Sequence, residues 1–316
     1  MKSRWSVWLE RTDIYRWLFG ATVILYFFSG DYINNRDIFM LFTLIILCLS
    51  AFSFRKVWIQ VFTSGIISFI GAYHVPDFDI QLTILQWIWY FVMATFIMIL
   101  IEKYISEKRN MIDLITSLAN TLDSRDNYTA FHSNNVANYS KAIAEELKLK
   151  QTVCKNIYIG GLLHDIGKIG ISENVLNKSS KLTTDEFIHI KEHPSIGYEL
   201  VKHIKPFEKS GVLNMILYHH ERYDGKGYPN GLKGEEIPLE ARIMAVADAF
   251  DAMTSHRVYR EARRLEYTLH ELQKERGKQF DPVVVDAFLK RIGRITNMSL
   301  YPSKQSEGSP SQKVGS

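Results

Sequence analysis

Ile157-Tyr158-Ile159-Gly160-Gly161-Leu162-Leu163-His164-Asp165 is an apolar run that ends on two metal-binding side chains. A run of this kind, flanked by longer stretches with helical apolar spacing, reads as a buried helix. Its closing pair is therefore carried toward the interior. Burying an unpaired carboxylate is costly, and coordination to a cation removes that cost. Outward from the pair, ligand-type residues recur roughly every thirty positions: His132 before it, then His193, His219-His220 and Asp248 after it. Imidazole and carboxylate suit iron, manganese and zinc. Ligands spread over more than a hundred residues imply a site assembled where several helices converge.

The surrounding chain supports that reading. Helix-like apolar spacing covers 133–147, 152–165, 183–192, 195–204, 211–221, 239–255, 261–276 and 282–292, with no strand-length alternation of Val, Ile and Thr. The expected fold is all-α. Ser133 reads as the cap of a helix starting at Asn134, and Thr183 with Glu186 as a capping box. Gly167 falls where a left-handed helix stop is expected. His189 precedes His193 by one helical turn, but Pro194 is expected to push His193 out of helical geometry and exclude a ligand pair.

The first hundred residues have a different character. Ile38–Phe54, Val57–Val75 and Ile80–Ile101 carry no formal charge, and a bilayer span takes about 20 apolar residues. With a shorter first segment, four spans are expected at 14–33, 38–54, 57–75 and 80–101. Lys2, Arg4, Arg11, Arg55, Lys56, Lys103, Lys108 and Arg109 lie on one side of these spans. Arg36 is the lone basic residue of the opposite loops, beside Asp31, Asp37, Asp77 and Asp79. The positive-inside bias puts both termini in the cytoplasm, with membrane lipid as a partner. No span holds an Asp, Glu, Lys or Arg at its middle, which argues against ion or proton transport. Trp87, Trp89 and Tyr90 sit deeper than an interfacial belt and suit helix or lipid packing.

Residues 102–122 read as a helical connector continuing out of the fourth span. Its apolar stripe, Ile105, Ile112, Ile115, Leu118 and Leu122, suits pairing with a second copy of the chain. Residues 295–316 are rich in Ser, Gly, Pro and Gln and are expected to be disordered. The soluble domain then spans 123–294. Net charge is +4 over 316 residues without a basic stripe, so no nucleic-acid polymer is expected as partner. Cys48 and Cys154 have no partner at a motif spacing, which removes disulfide and thiolate-metal chemistry.

Five stretches carry a family resemblance: LDSRDNYTAFHS (Leu122 to Ser133), LHDIGKIG (Leu163 to Gly170), KEHP (Lys191 to Pro194), YHHERYDGKGYPNGLKG (Tyr218 to Gly234) and ADAFDAMTS (Ala247 to Ser255). Together, from about Ser117 to Leu289, they resemble the HD-GYP phosphodiesterases, which hydrolyse the bacterial second messenger cyclic di-GMP to linear pGpG or GMP. The resemblance implies an HD-GYP metal-dependent hydrolase held at the bacterial inner membrane by its multi-pass region, with the catalytic domain in the cytoplasm. It implies two divalent metals, commonly iron or manganese, forming a binuclear centre. His132, His164, Asp165 and Asp248 would hold one metal. Asp165 would bridge to a second, held with His193, His219 and His220. A third metal in some relatives uses a glutamate where this chain has Tyr128.

The same resemblance gives Lys168 a role on the phosphate or leaving group, beside Asp165 as the catalytic bridge. It puts Arg257 and Arg260 on substrate phosphates, where guanidinium forks match phosphate oxygens. Tyr228, in the loop Gly225-Lys226-Gly227-Tyr228-Pro229, would stack on a guanine, and the loop would also offer a contact for signalling proteins. Both loop glycines are expected at positive φ. Phe131 stands where the family usually has glycine, and its ring is expected to narrow substrate access or pack on the connector. Two other functions remain open at this level: a catalytically weak cyclic dinucleotide receptor, and a phosphodiesterase for a related cyclic dinucleotide.

Overall fold

The computed structural model describes residues 12–29, 36–74, 79–125, 131–178, 180–255 and 263–296. Tyr128, Arg257, Arg260 and the tail from residue 297 lie outside the described residues. Every regular element among the described residues is helical, with two isolated β-bridges, Asp224 to Lys233 and Arg276 to Phe280. The chain divides into two compact units, Lys2–Asp113 and Leu114–Ser316.

In the first unit, α1 (Thr12–Ser29), α2 (Arg36–Ser53), α3 (Val57–Tyr73) and most of α4 (Ile80–Asp123) surround Tyr26, Ile46, Leu47, Ile67, Ile70 and Ala94. Their polar groups satisfy one another, as helices in an apolar setting require. Ser50 Oγ donates to Gln60 Oε1 at 2.7 Å, and the hydroxyls of Tyr26 and Thr43 meet at 2.9 Å. Trp87 Nε1 donates to the Val61 carbonyl at 3.1 Å, so this indole packs helix on helix. Trp17, Leu25, Phe28, Phe62 and Phe69 are exposed. By length and composition α4 alone, among the described residues, is long and apolar enough to cross a membrane.

The predicted fourth span and connector form one uninterrupted helix of 44 residues. Its apolar residues do not share one free face. Ile115 and Leu122 pack against the core of the second unit, and Ala119 is buried. Met111, Leu114 and Leu118 are the exposed ones. The stripe drawn from sequence thus mixes an intramolecular face with an outward one, because a 44-residue helix presents different sides to different neighbours.

The second unit is built on α5 (His132–Glu146), α6 (Gln151–Leu163), α7 (Thr184–Ile190), α8 (His193–Val201), α9 (Val212–Tyr218), α10 (Leu239–Thr254), α11 (Leu265–Lys274) and α12 (Pro282–Thr296). Helix α12 thereby includes the first two residues assigned to the tail. The core is one cluster drawn from most of these helices, including Val136, Ile143, Ile157, Leu163, Met215, Ile216, Ile243, Met244, Val284 and Phe288. It holds the helix ends that carry the candidate ligands.

Three local expectations are corrected. Helix α5 begins at His132, one turn-position earlier than drawn, and Ser133 is not its cap. The Ser133 amide and hydroxyl instead donate to the buried Asp123 carboxylate at 2.9 and 2.7 Å. Gly167 does not take positive φ and lies in a 3₁₀ turn, Ile166–Gly170. It must be glycine because an added Cβ would come within 1.9 Å of the His193 carbonyl oxygen. His193 is the first residue of α8, with Pro194 in the first turn, where a missing N–H costs nothing. His189 is nonetheless no ligand: it closes α7 and bonds Glu192 at 2.9 Å. The Thr183–Glu186 capping box forms as expected.

Candidate metal centre

Each candidate ligand sits at or near a helix end. His132 opens α5, His164-Asp165 follow α6, His193 opens α8, His219-His220 follow α9, and Asp248 lies within α10. The structure brings all seven together. His132, His164, His193 and His219 are at most 2% exposed and Asp165 is 7% exposed. Asp165 is the hinge of the arrangement. Its Oδ2 lies 3.3 Å from His164 Nε2 and 3.8 Å from His132 Nε2, while its Oδ1 lies 3.2 Å from His193 Nε2 and 3.9 Å from His219 Nε2. Asp248 Oδ1 is 3.5 Å from His132 Nε2. Two donor groups result, His132-His164-Asp165 and Asp165-His193-His219-His220, sharing one carboxylate.

The imidazoles are oriented by their other nitrogens. Nδ1 of His164, His193 and His219 donates to the main-chain carbonyls of Gly161, Ile190 and Ile216 at 2.8, 2.8 and 2.9 Å. Such bonds fix the tautomer and leave Nε2 facing inward as a lone pair. His193 and His219 then oppose Nε2 to Nε2 at 3.2 Å. The buried Nε2 of His164 makes no hydrogen bond. Nitrogen lone pairs turned on one another and on a carboxylate fit a bound cation, and little else relieves them.

The charge balance agrees. Burial works against ionising Asp165, but the Lys168 ammonium at 2.8 Å and the His164 imidazole outweigh it and hold the carboxyl well below its usual range. Burial likewise opposes a charged His164, yet Asp165 and Asp248 lift its pKa to about 9. Burial, reinforced by His220 and the neighbouring imidazoles, keeps His219 well below the usual histidine value. Burial and His193 take His220 down to about 4.

Lys168, Asp165, His132, His193, His220, Tyr228 and Asp248 line a cavity of about 250 Å³. Lys168 reaches it from the 3₁₀ turn, on the same Asp165 oxygen that faces His132 and His164. Tyr228 lies over the His220 ring, centroids 4.8 Å apart and planes 30° off parallel. The described Phe131 is half exposed and lines none of this cavity. Its backbone explains the family's glycine: φ is +87°, a left-handed conformation that disfavours side chains. Of the two loop glycines only Gly225 has positive φ, at +79°. Gly227 is needed for space, since a Cβ there would meet the Arg222 amide nitrogen at 2.3 Å.

Three supporting carboxylates escaped the sequence reading. Asp251 accepts from His132 Nδ1 at 2.7 Å and is 1% exposed. Its one sequence signal is its place a turn after Asp248. Asp123 ties α4 to the start of α5 through Ser133. Glu221, 3% exposed, accepts the amides of Asn230, Gly231 and Leu232 and so shapes the loop that carries Tyr228.

A profile of the HD domain family matches residues 109–284, a span that contains all seven ligands. The chain belongs to the HD domain family. Its HD domain is 45% identical over 179 residues to the cyclic di-GMP phosphodiesterase response regulator RpfG of Xanthomonas campestris pv. campestris, covering 56% of this chain and 47% of that protein. A cyclic di-GMP phosphodiesterase of Thermotoga maritima is 39% identical over 199 residues, 62% of this chain and 54% of the relative. A 3'3'-cGAMP-specific phosphodiesterase 2 of Vibrio cholerae is 33% identical over 178 residues, 56% of this chain and 34% of the relative. The chain thus spans about half the length, or less, of these curated relatives.

Proposed function

We propose that this chain is a membrane-anchored, metal-dependent phosphodiesterase that hydrolyses cyclic di-GMP to linear pGpG or GMP. The observation that carries this reading is the Asp165 carboxylate, whose two oxygens face two separate imidazole groups. That division suits two divalent ions, iron or manganese, one held by His132, His164, Asp165 and Asp248 and the other by Asp165, His193, His219 and His220. Paired divalent ions supply Lewis acidity, acidifying water and neutralising phosphodiester oxygens during in-line displacement.

The protein's own groups do the rest. Carbonyl-anchored imidazoles hold the donor set rigid and keep each lone pair aimed inward. Lys168, tethered to Asp165 at 2.8 Å, is placed to neutralise a phosphate or hand a proton to the departing sugar oxygen once cations take over Asp165. Arg257 and Arg260 complete the phosphate recognition. The four apolar helical segments anchor the domain in the bacterial cytoplasmic membrane, both termini inside, and α4 transmits a signal from that region. The outward residues Met111, Leu114 and Leu118 suit a homodimer along α4, and the loop at Tyr228 suits contact with a signalling protein.

The test uses the full chain in detergent, loaded anaerobically with Fe(II) or Mn(II) and given cyclic di-GMP. Metal-dependent pGpG or GMP, lost on chelation, is the expected result. Turnover of 3'3'-cGAMP alone would move the substrate to a related dinucleotide, a reading favoured by the cGAMP-specific relative. Nucleotide binding without product would make the domain a receptor.

A further inference from the structure

A second cavity, of about 370 Å³, adjoins the metal cavity and shares His220, Tyr228 and Asp248 with it. Tyr228 forms part of the partition. Into the second cavity reaches Lys191, the residue that closes α7. Its Nζ lies 4.7 Å from the ring centre of Phe187 and 5.1 Å from that of Tyr228. Among the described residues no carboxylate pairs with it. The cation is held by aromatic faces, which position it without neutralising it.

The neighbouring positive charges are differently placed. Arg222, also at this cavity, is clasped by the Asp224 carboxylate at 3.0 and 2.9 Å. Lys168 lies in the other cavity, on Asp165. Lys226 is solvent-exposed on the loop. Lys191 is therefore the half-buried cation that a second anionic group on a bound ligand would meet.

A cyclic dinucleotide has two phosphodiesters on one macrocycle, and only one can occupy the metal centre at a time. We propose that Lys191 receives the other phosphate, the one not under attack. The second cavity is then the subsite for the distal half of the substrate, and the macrocycle straddles the Tyr228–His220 partition. This inference rests on the cyclic dinucleotide reading. It makes Lys191 a determinant of selectivity for diesters that carry two phosphates over those that carry one.

The experiment compares Lys191→Ala and Lys191→Arg with the parent in the full-length, metal-loaded protein, using cyclic di-GMP and bis(p-nitrophenyl) phosphate as substrates. Loss of one charge-assisted phosphate contact should lower the ratio of kcat/KM for cyclic di-GMP to that for the single-phosphate ester by about tenfold in the Ala variant. The loss should be carried by KM, with metal content unchanged, and Arg should restore most of it. An unchanged ratio overturns the inference while leaving the phosphodiesterase reading intact. Equal loss in Ala and Arg variants assigns the effect to packing and overturns it too. If the parent cleaves bis(p-nitrophenyl) phosphate but neither hydrolyses cyclic di-GMP nor is inhibited by it, the substrate reading fails and this inference falls with it.

Discussion

His193 and His219 face each other Nε2 to Nε2 at 3.2 Å, with both Nδ1 atoms committed to main-chain carbonyls. Two lone pairs that close, in a site almost without solvent, stand in mutual repulsion until a cation lies between or beside them. Metal should therefore stabilise the folded state markedly. At a free Mn(II) concentration about 100 times Kd the gain is about 2.7 kcal/mol for one site. Thermal unfolding with Mn(II) and with chelator measures it, and identical midpoints would remove the metal centre.

Asp165→Ala should cost both ions, because the shared carboxylate is the one group that faces both imidazole sets. The expected result is loss of hydrolysis by about a thousandfold or more, a larger effect than the 10–100-fold of an outer-shell change. Metal content per chain, determined by elemental analysis beside turnover, checks it. Full turnover in this variant would sink the bridging role.

Asp251→Asn tests the support behind His132. The variant keeps the shape but weakens the charge that holds His132 Nδ1–H at 2.7 Å. Metal affinity should fall about 10–100-fold with little change in helix content. Equilibrium metal titration against a competing chelator provides the number; an unchanged affinity assigns Asp251 to structure alone.

His164 makes metal uptake depend on pH. Its pKa in the metal-free protein is raised to about 9, so an ion must displace a proton at neutral pH. Apparent affinity at the His132–His164 site should climb about tenfold per pH unit from pH 7 to 8 and level off near 9. His219 and His220 are neutral at pH 7 and release nothing. For stability the sign is opposite: the folded value lies above the ordinary 6.5. The contribution of His164 to the metal-free fold is complete below about 6.5 and is lost as pH rises through about 9. Calorimetry in buffers of different ionisation heat counts the released proton, and a count of zero at pH 7 refutes the assignment.

Glu221→Ala should unfold the loop that presents Tyr228 before it harms the helices. Three amides, of Asn230, Gly231 and Leu232, lose their acceptor, at a cost of about 3 kcal/mol. Chemical unfolding and hydrogen exchange of residues 225–234 measure it. Exchange no faster than in the parent would show the loop to be shaped by something else.

The helices were legible because their signal is local. Each apolar stretch of the second unit became a helix within a few residues of its expected bounds, and the 3.6-residue period is written in consecutive side chains. Ser133 and Gly167 were misread because their roles depend on partners far along the chain or across the fold. Ser133 answers to Asp123 at the end of another helix, and Gly167 to the main chain of α8. Asp251 and Glu221 were invisible as functional residues for the same reason: a carboxylate on a helix or beside a loop looks ordinary until its acceptor duties are seen.

By itself the sequence determined which residues can bind metal, that they ride on helices, and that an apolar half precedes a charged one. Residue chemistry and periodicity suffice for that. Tertiary structure alone decided how Asp165 divides its oxygens, which imidazole nitrogens point inward, and that Lys191 enters a second cavity against Phe187 and Tyr228. Those relations join residues tens of positions apart through the angles at which helix ends meet. Such angles are set by packing of the whole core, and no local pattern encodes them.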